Sequence, residues 1–158
     1  PVPKALPYPV YTIERGGDLT WHGPSQLVGY PIFHLPSLGL KPRSYMAALE
    51  AVLIEAIGPF GVKATTVKGF TGLWSGRKKL ASIGVAVRSG VAYHGFALNK
   101  NNSLAAFKLI HPCKLEGDAM TSMAKLIGSS VDEAAVTKAV GQAMLQYFGQ
   151  MAKDDARA

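Results

Sequence analysis

The chain has 158 residues, of which 48% are apolar, and its formal net charge is +7. This length suits one ordinary core, so we expect a single domain over residues 1–158. No apolar run reaches the roughly 18 residues of a membrane-spanning helix, and the start lacks the apolar segment of a signal peptide. We therefore expect a cytoplasmic protein without a membrane partner.

The net charge indicates which partners to expect, and the cysteine count limits the thiol chemistry of the chain. An excess of seventeen basic over ten acidic residues favours an acidic partner. The one dense basic cluster, residues 77–79, has no interleaved aromatic residues, so we expect no nucleic acid partner. Cys113 is the only cysteine, which excludes an internal disulfide and leaves either a buried thiol or a reactive one.

Residues 15–26, RGGDLTWHGPSQ, fit neither helical nor strand spacing. Gly16 and Gly17 permit a positive φ or a close approach of the backbone to a ligand. The polar side chains around them supply hydrogen-bond donors, acceptors and one titratable ring. We predict an ordered functional loop, called the glycine-rich loop below, and an ordinary connecting turn is the alternative.

The first half of the chain combines β-prone runs with one clear helix. Residues 10–14 and 27–35 predict strands on either side of the glycine-rich loop. Apolar residues at helical spacing predict an amphipathic helix over residues 41–57, followed by glycine and proline. Residues 62–67 are β-prone, and residues 69–76 predict a turn-rich segment.

The last third of the chain is predicted to be mainly helical. Residues 104–110 are a short apolar segment of uncertain type, and residues 121–127 predict a short helix. A longer helix is predicted over residues 131–152, opened by a capping box of Ser130 and Glu133. Its apolar stripe indicates core packing rather than a cofactor site.

Residues 79–88 and 91–99 flank the dipeptide Ser89-Gly90 and predict a β-hairpin. A two-residue turn places Arg88 opposite Val91, and counting outward from this pair gives every other pair. A slip of one residue would exchange the two faces of the hairpin. The register is therefore itself a prediction.

In this register one hairpin face is bulky, with Ile83, Val85 and Phe96. The opposite face is called the small-residue patch below, and consists of two facing pairs, Ser82 with Ala97 and Gly84 with Gly95. Small side chains there leave room for a slender apolar chain, and close packing of a helix is the alternative.

Four blocks of the sequence, in this order, resemble the lipoyl(octanoyl) transferase family: RGGDLTWHGPSQ, KLASIGVAVR, VAYHGFALN and HPCKLEGDAMTSM. In lipoate biosynthesis, members of that family transfer an octanoyl group from acyl carrier protein to a lysine of lipoate-dependent enzymes. The resemblance implies an α/β (α+β) fold with a mixed, largely antiparallel sheet packed with helices, similar to biotin and lipoate protein ligases. It implies no cofactor. From the resemblance we also expect that the family's N-terminal portion is missing here.

The resemblance also implies which residues are functional. Cys113 forms the acyl-thioester intermediate, and Lys79 lowers the pKa of this thiol and later accepts a proton from the incoming lysine. By its type alone, a lone cysteine is more often a small buried hydrophobe. The implied substrate-binding residues come from the glycine-rich loop and the hairpin: Arg15, Gly16, Gly17, Asp18, Leu19, Thr20, Trp21, His22, Ser82, Ile83, Gly84, His94, Gly95, Phe96 and Ala97.

His22 and His94 are candidates for orienting substrate or assisting proton transfer, and we expect no metal because no ligand pair has the usual spacing. Two residues depart from the family pattern, since Ser25 and Lys114 stand where the family has glycine. The hairpin register also places Lys79 on the bulky face, unless a bulge or strand twist reorients it.

The partners implied by the resemblance are octanoyl-acyl carrier protein as donor, and lipoyl domains of 2-oxoacid dehydrogenase E2 subunits and glycine-cleavage H protein as acceptors. We expect a monomer. One alternative is an ATP-dependent enzyme similar to lipoate-protein ligase, for which Cys113 would be dispensable. The other is a non-catalytic module that binds acyl groups or carrier protein.

Overall fold

The computed structural model describes residues 6–110 and 119–155, with side chains described up to residue 152. This part of the chain contains six strands and three α-helices. The strands are β1 (Gln26–Gly29), β2 (Phe33–His34), β3 (Thr65–Val67), β4 (Phe70–Ser75), β5 (Lys78–Arg88) and β6 (Val91–Asn99). The helices are α1 (Pro42–Ile57), α2 (Met123–Ile127) and α3 (Glu133–Asp155).

The strands form one sheet in the order β1-β6-β5-β4-β3, and β2 pairs with β6 beyond the end of β1. All of these pairings are antiparallel. Farther along the chain, Met120 makes an isolated parallel bridge to Lys79. The expected architecture, a mixed and largely antiparallel sheet packed with helices, is confirmed.

Helix α1 confirms the predicted helix at residues 41–57. Pro42 lies in its first turn, where the missing N–H costs no hydrogen bond, and the Ser44 hydroxyl accepts from the Lys41 N–H. Its apolar face is fully buried, with Tyr45, Leu49 and Leu53 each 0% exposed. Each such leucine contributes about 1.5–3 kcal/mol by its removal from water.

Helix α3 packs against α1, and the two helices share one core with the bulky face of the hairpin. The predicted capping box of Ser130 and Glu133 is wrong. The Asp132 carboxylate accepts the N–H groups of Ala134 and Ala135 instead, so α3 begins two residues later than predicted. No helix in the described ranges is both long and apolar enough to cross a bilayer.

The short helix predicted at residues 121–127 is confirmed as α2, whose first turn is capped by the Ser122 hydroxyl. The segment of uncertain type at residues 104–110 contains a 3-10 helix, Ala105–Leu109. Of these two elements, only α2 begins with a side-chain cap that the sequence shows.

Three strand predictions need correction. Residues 10–14 are not a strand: they are exposed and pair with no described strand. The run at residues 27–35 is divided into β1 and β2 around Pro31, which cannot donate to a ladder. Residues 69–76 were predicted to be turn-rich but contain β4, because pairing with β5 outweighs the weak β propensity of its glycine. Of the β-prone residues 62–67, only Thr65–Val67 form a strand.

Candidate active site

The predicted hairpin register is confirmed at every pair from Ser82 with Ala97 to Arg88 with Val91. Ser89 and Gly90 form the turn with φ of 50° and 81°, as a two-residue hairpin turn requires. The bulky residues of the hairpin pack into the core with α1 and α3. The small-residue patch therefore lies on the sheet face opposite these two helices, and close packing of a helix on it is not seen in the described ranges.

The glycine-rich loop lies across the small-residue patch. The Gly16 N–H donates to the Val85 carbonyl at 2.9 Å, and the Gly16 oxygen would be 2.6 Å from a Cβ at Gly84. A Cβ at Gly95 would collide with the backbone oxygen of Gly29. These two glycines are therefore required by close backbone approach rather than by a turn.

A cavity of about 440 Å³, including its mouth open to solvent, remains between the loop and the patch. Its lining combines most of the predicted substrate-binding residues with two that the sequence reasoning missed, Ile13 and Tyr30. The lining residues are Ile13, Arg15, Gly17, Thr20, His22, Tyr30, Ser82, Ile83, Gly84, His94, Gly95, Phe96 and Ala97. Four predicted residues, Gly16, Asp18, Leu19 and Trp21, are not in the lining.

The predicted residues outside the lining help to shape the loop. The Arg15 guanidinium, itself a lining group, donates to the carbonyls of Gly16 at 3.1 Å and Asp18 at 2.7 Å. The Asp18 carboxylate accepts from the Leu19 N–H at 2.8 Å. Leu19 and Trp21 pack on a small apolar cluster, where the Trp21 ring meets Phe107 edge-on at 5.6 Å between ring centres. The loop is thus held by its own hydrogen bonds and by two apolar anchors.

Two buried polar atoms at this cavity have no hydrogen-bond partner among the described residues: Thr20 Oγ1 and His94 Nε2. A buried polar group without a partner costs about 1–3 kcal/mol. His94 also has a φ of 58° inside β6, a left-handed conformation that is costly for a non-glycine residue. Unpaired polar atoms and backbone strain in one cavity are typical of a site that receives a ligand.

Gln26, at the end of the glycine-rich loop, is connected to Asn99 at the end of β6 by a chain of side-chain hydrogen bonds. The Asn99 amide N–H donates to the Thr121 carbonyl at 2.9 Å, and the Gln26 amide N–H donates to Asn99 Oδ1 at 2.9 Å. The Gln26 oxygen lies 3.0 Å from Nδ1 of His22. Sequence reasoning missed Asn99, because Gln26 and Thr121 are distant from it in sequence and no local pattern marks it.

Lys79 is 4% exposed, and its Nζ lies 5.4 Å from the centre of the Trp74 ring. The pairing of Leu73 with Ala81 and of Trp74 with Lys79 leaves one extra residue in β5, so an irregularity lies beside Lys79, where a bulge or strand twist was one way to reorient this residue. Lys79 is not among the lining residues of the cavity.

Cys113 lies outside the described residues, as do the rest of the HPCKLEGD segment and its Lys114. The chain is described again from Ala119, and directly afterwards Met120 bridges to Lys79 while the Thr121 N–H donates to the Lys79 carbonyl at 2.9 Å. The described chain that follows this segment therefore runs beside Lys79.

Ser25, which replaces a glycine of the family pattern, has a φ of 63°. This left-handed conformation explains why glycine suits the position. The Ser25 hydroxyl hydrogen-bonds the Glu133 carboxylate, and this bond lowers the pKa of Glu133. The hydrogen bond from the Asn101 amide and the Lys100 ammonium, 3.3 Å from Glu133 Oε2, lower this pKa further. The N-terminus of α3 is thereby connected to the glycine-rich loop.

The family model of the lipoyl protein ligase A/B catalytic domain matches residues 3–145. Among curated relatives, the octanoyltransferase of Syntrophobacter fumaroxidans is 43% identical over 140 residues, which cover 89% of this chain and 61% of the relative. The octanoyltransferase of Geobacter sulfurreducens is 49% identical over 128 residues, which cover 81% of this chain and 54% of the relative. The chain thus spans little more than half the length of these relatives.

Solved structures of two kinds of ligase share the fold. A lipoate-protein ligase A bound with ATP has a TM-score of 0.68 at 14% identity, covering 91% of this chain and 64% of the ligase. The biotin protein ligase of Aquifex aeolicus has a TM-score of 0.63 at 13% identity, covering 82% of this chain and 55% of the ligase. Because the family model matches most of the sequence, the chain belongs to the lipoyl protein ligase A/B catalytic domain family, and its curated relatives above are octanoyltransferases.

Proposed function

We propose that the protein transfers an octanoyl group from acyl carrier protein to a lysine of a lipoyl domain, through a thioester on Cys113. The observation that carries this proposal is the cavity between the glycine-rich loop and the small-residue patch. Glycine, serine and alanine on its floor leave the width of a slender acyl chain, while Ile13 and Tyr30 add apolar and aromatic lining. Thr20 and His94 offer hydrogen bonds to a polar group of the substrate.

In the first half-reaction, the Cys113 thiolate attacks the carbonyl carbon of the carrier thioester. The carrier thiol leaves with a proton from the Lys79 ammonium, and backbone N–H groups near Cys113 stabilise the oxyanion. A cation beside a cysteine lowers the pKa of its thiol, which supplies the thiolate at neutral pH. The burial of Lys79 and its bridge to Met120 support this pairing.

In the second half-reaction, the amine of a lipoyl-domain lysine attacks the octanoyl thioester, and the Cys113 thiolate leaves. The proposed acceptors are the lipoyl domains of 2-oxoacid dehydrogenase E2 subunits and the glycine-cleavage H protein. The net charge of +7 suits acidic protein partners, and electrostatic steering predicts association that weakens with added salt.

The test is the intact mass of the protein after incubation with octanoyl-acyl carrier protein, followed by treatment with hydroxylamine. We expect a hydroxylamine-labile octanoyl adduct on the unmodified chain and none on Cys113→Ser. If the folded unmodified chain gains no adduct, the transferase mechanism fails, and ATP-dependent activation of the free acid or plain binding of the acyl group becomes the better account.

A matched pair of lysine variants tests the role of Lys79. Lys79→Met should slow adduct formation on the order of a hundredfold, as expected for loss of a group that transfers protons. Lys78→Met, at the adjacent and exposed position of the same strand, should acylate at close to the unmodified rate. Equal rates for the two variants would contradict the assignment of Lys79.

A further inference from the structure

The second half-reaction releases more protons than the proposed mechanism has so far placed, and the inference below rests on that proposed function. The acceptor lysine approaches as an ammonium at neutral pH. Its conversion to a neutral amide breaks two N–H bonds, forms the C–N bond and expels the Cys113 thiolate, so two protons leave the nitrogen. Lys79, present as the amine after the first half-reaction, accepts one of them. The other proton needs a second acceptor.

The hydrogen-bond chain through Gln26 determines which nitrogen of His22 carries its proton. The Thr121 carbonyl can only accept, so the Asn99 amide turns its nitrogen toward that carbonyl and its oxygen toward Gln26. Asn102 supports this orientation, because its amide nitrogen also donates to Asn99 Oδ1, at 3.0 Å.

Gln26 must therefore present its nitrogen to Asn99, and the same nitrogen lies 3.4 Å from the Trp21 carbonyl, another group that can only accept. The Gln26 oxygen then faces Nδ1 of His22 at 3.0 Å and requires a donor there. Neutral His22 consequently holds its proton on Nδ1, and no described residue hydrogen-bonds the lone pair on Nε2.

The position of His22 suits a group that receives a proton and releases it. Its side chain is exposed and lines the cavity mouth, so water can remove the proton after transfer. The other titratable or charged groups of the lining are Arg15, Tyr30 and His94. Arg15 has no lone pair to offer, and its guanidinium already donates to two loop carbonyls. Nε2 of His94 is buried, away from water that could take up the proton.

We propose that His22 is the general base of aminolysis: its Nε2 accepts the first proton from the acceptor ammonium and passes it to water, and Lys79 accepts the second as the C–N bond forms. Gln26 and Asn99 are positioning residues, which hold His22 in the tautomer that has its lone pair on Nε2. The first half-reaction involves no incoming ammonium and does not need His22.

Reactions with two nucleophiles distinguish proton transfer by His22 from a purely structural role of this residue. The octanoyl-enzyme is formed first, and its mass is verified. Its decay is then followed with one of two nucleophiles, a lipoyl domain or methoxyamine. Methoxyamine is uncharged at neutral pH and therefore has no ammonium proton to lose. Once its adduct has formed, His22→Gln should transfer the octanoyl group to the lipoyl domain on the order of a hundredfold more slowly than the unmodified octanoyl-enzyme. With methoxyamine the variant and the unmodified enzyme should react at nearly equal rates.

His34→Gln is the matched control, because His34 is exposed, bonds Ser37 and lies outside the cavity lining. It should behave as the unmodified chain with both nucleophiles. A His22→Gln loss of equal size with both nucleophiles would overturn the role of His22 and leave the transferase proposal intact. Failure of the unmodified chain to form any adduct would instead refute the transferase proposal itself.

Gln26→Met tests the positioning role, since it keeps the side-chain length but removes the three side-chain amide hydrogen bonds of Gln26. It should slow transfer to the lipoyl domain and spare methoxyamine, as His22→Gln does. The double variant should be no slower than His22→Gln alone, because both changes remove the same proton transfer. Additive losses in the double variant would refute the coupling of Gln26 to His22.

Discussion

The two faces of the sheet are built in opposite ways. On one face, α1 and α3 cover the bulky hairpin residues with large side chains, among them Leu53 and Phe148, which are 0% and 2% exposed. On the other face, backbone atoms of the glycine-rich loop approach Gly84, the Gly29 backbone approaches Gly95, and a cavity remains beside them. The helix-covered face gains stability from packed apolar area, while the loop-covered face retains unpaired polar atoms.

This contrast indicates that the helix-covered face mainly provides stability and that the loop-covered face mainly provides the candidate site. A strained residue such as His94 and two unpartnered polar atoms are tolerated on one face because the opposite face supplies the core. Substitutions on the helix-covered face should therefore change the free energy of unfolding, and substitutions on the loop-covered face should mainly change octanoyl uptake.

Leu53→Ala should have the largest effect on stability. Leu53 is fully buried in α1, so the substitution leaves a cavity and should lower the free energy of unfolding by about 2–5 kcal/mol. Leu145→Ala on α3 is the control, since Leu145 is 78% exposed and should lose little. Urea unfolding measures both. Octanoyl uptake per folded molecule should not change in either variant, and a selective loss in Leu53→Ala would contradict the separation of the two faces.

Gly84→Ala should lower the free energy of unfolding less than Leu53→Ala does, but it should reduce octanoyl uptake more. The new Cβ would lie 2.6 Å from the Gly16 oxygen, so the glycine-rich loop must move away at a cost of about 1–3 kcal/mol. Octanoyl adduct formation should fall strongly, as measured by intact mass. Gly141→Ala in α3 meets nothing within 4 Å and should instead stabilise the protein by about 0.5–1 kcal/mol without changing uptake. Normal uptake by Gly84→Ala would show that the loop position does not matter.

The smallest effect is expected at Ser25, where the loop meets α3. Ser25→Gly relieves a left-handed φ but loses the hydroxyl bond to Glu133, whereas Ser25→Ala loses the same bond and keeps the strain. The glycine variant should be more stable than the alanine variant by about 1 kcal/mol in urea unfolding. Equal stability of the two variants would mean that the backbone at Ser25 is not strained.

The sequence predicted most of what depends on neighbours along the chain. Helix α1 follows from apolar spacing with proline in its first turn, and the hairpin register follows from a two-residue turn with Gly90. The capping box failed although it is local, because two alternatives compete there and Asp132 provides the better cap. The strand predicted at residues 10–14 failed because β propensity has no effect without a partner strand.

By itself, the sequence determined the small-residue patch and the glycine-rich loop, since residue size and local spacing mark both, but it did not show that the loop lies on the patch. Only the tertiary structure decided which nitrogen of His22 bears a proton. The hydrogen bonds that fix this proton run from His22 through Gln26 and Asn99, which are 73 positions apart, to the carbonyl of Thr121. Side-chain hydrogen bonds have no period along the chain, so their partners are known only once β1, β6 and the segment before α2 are brought together.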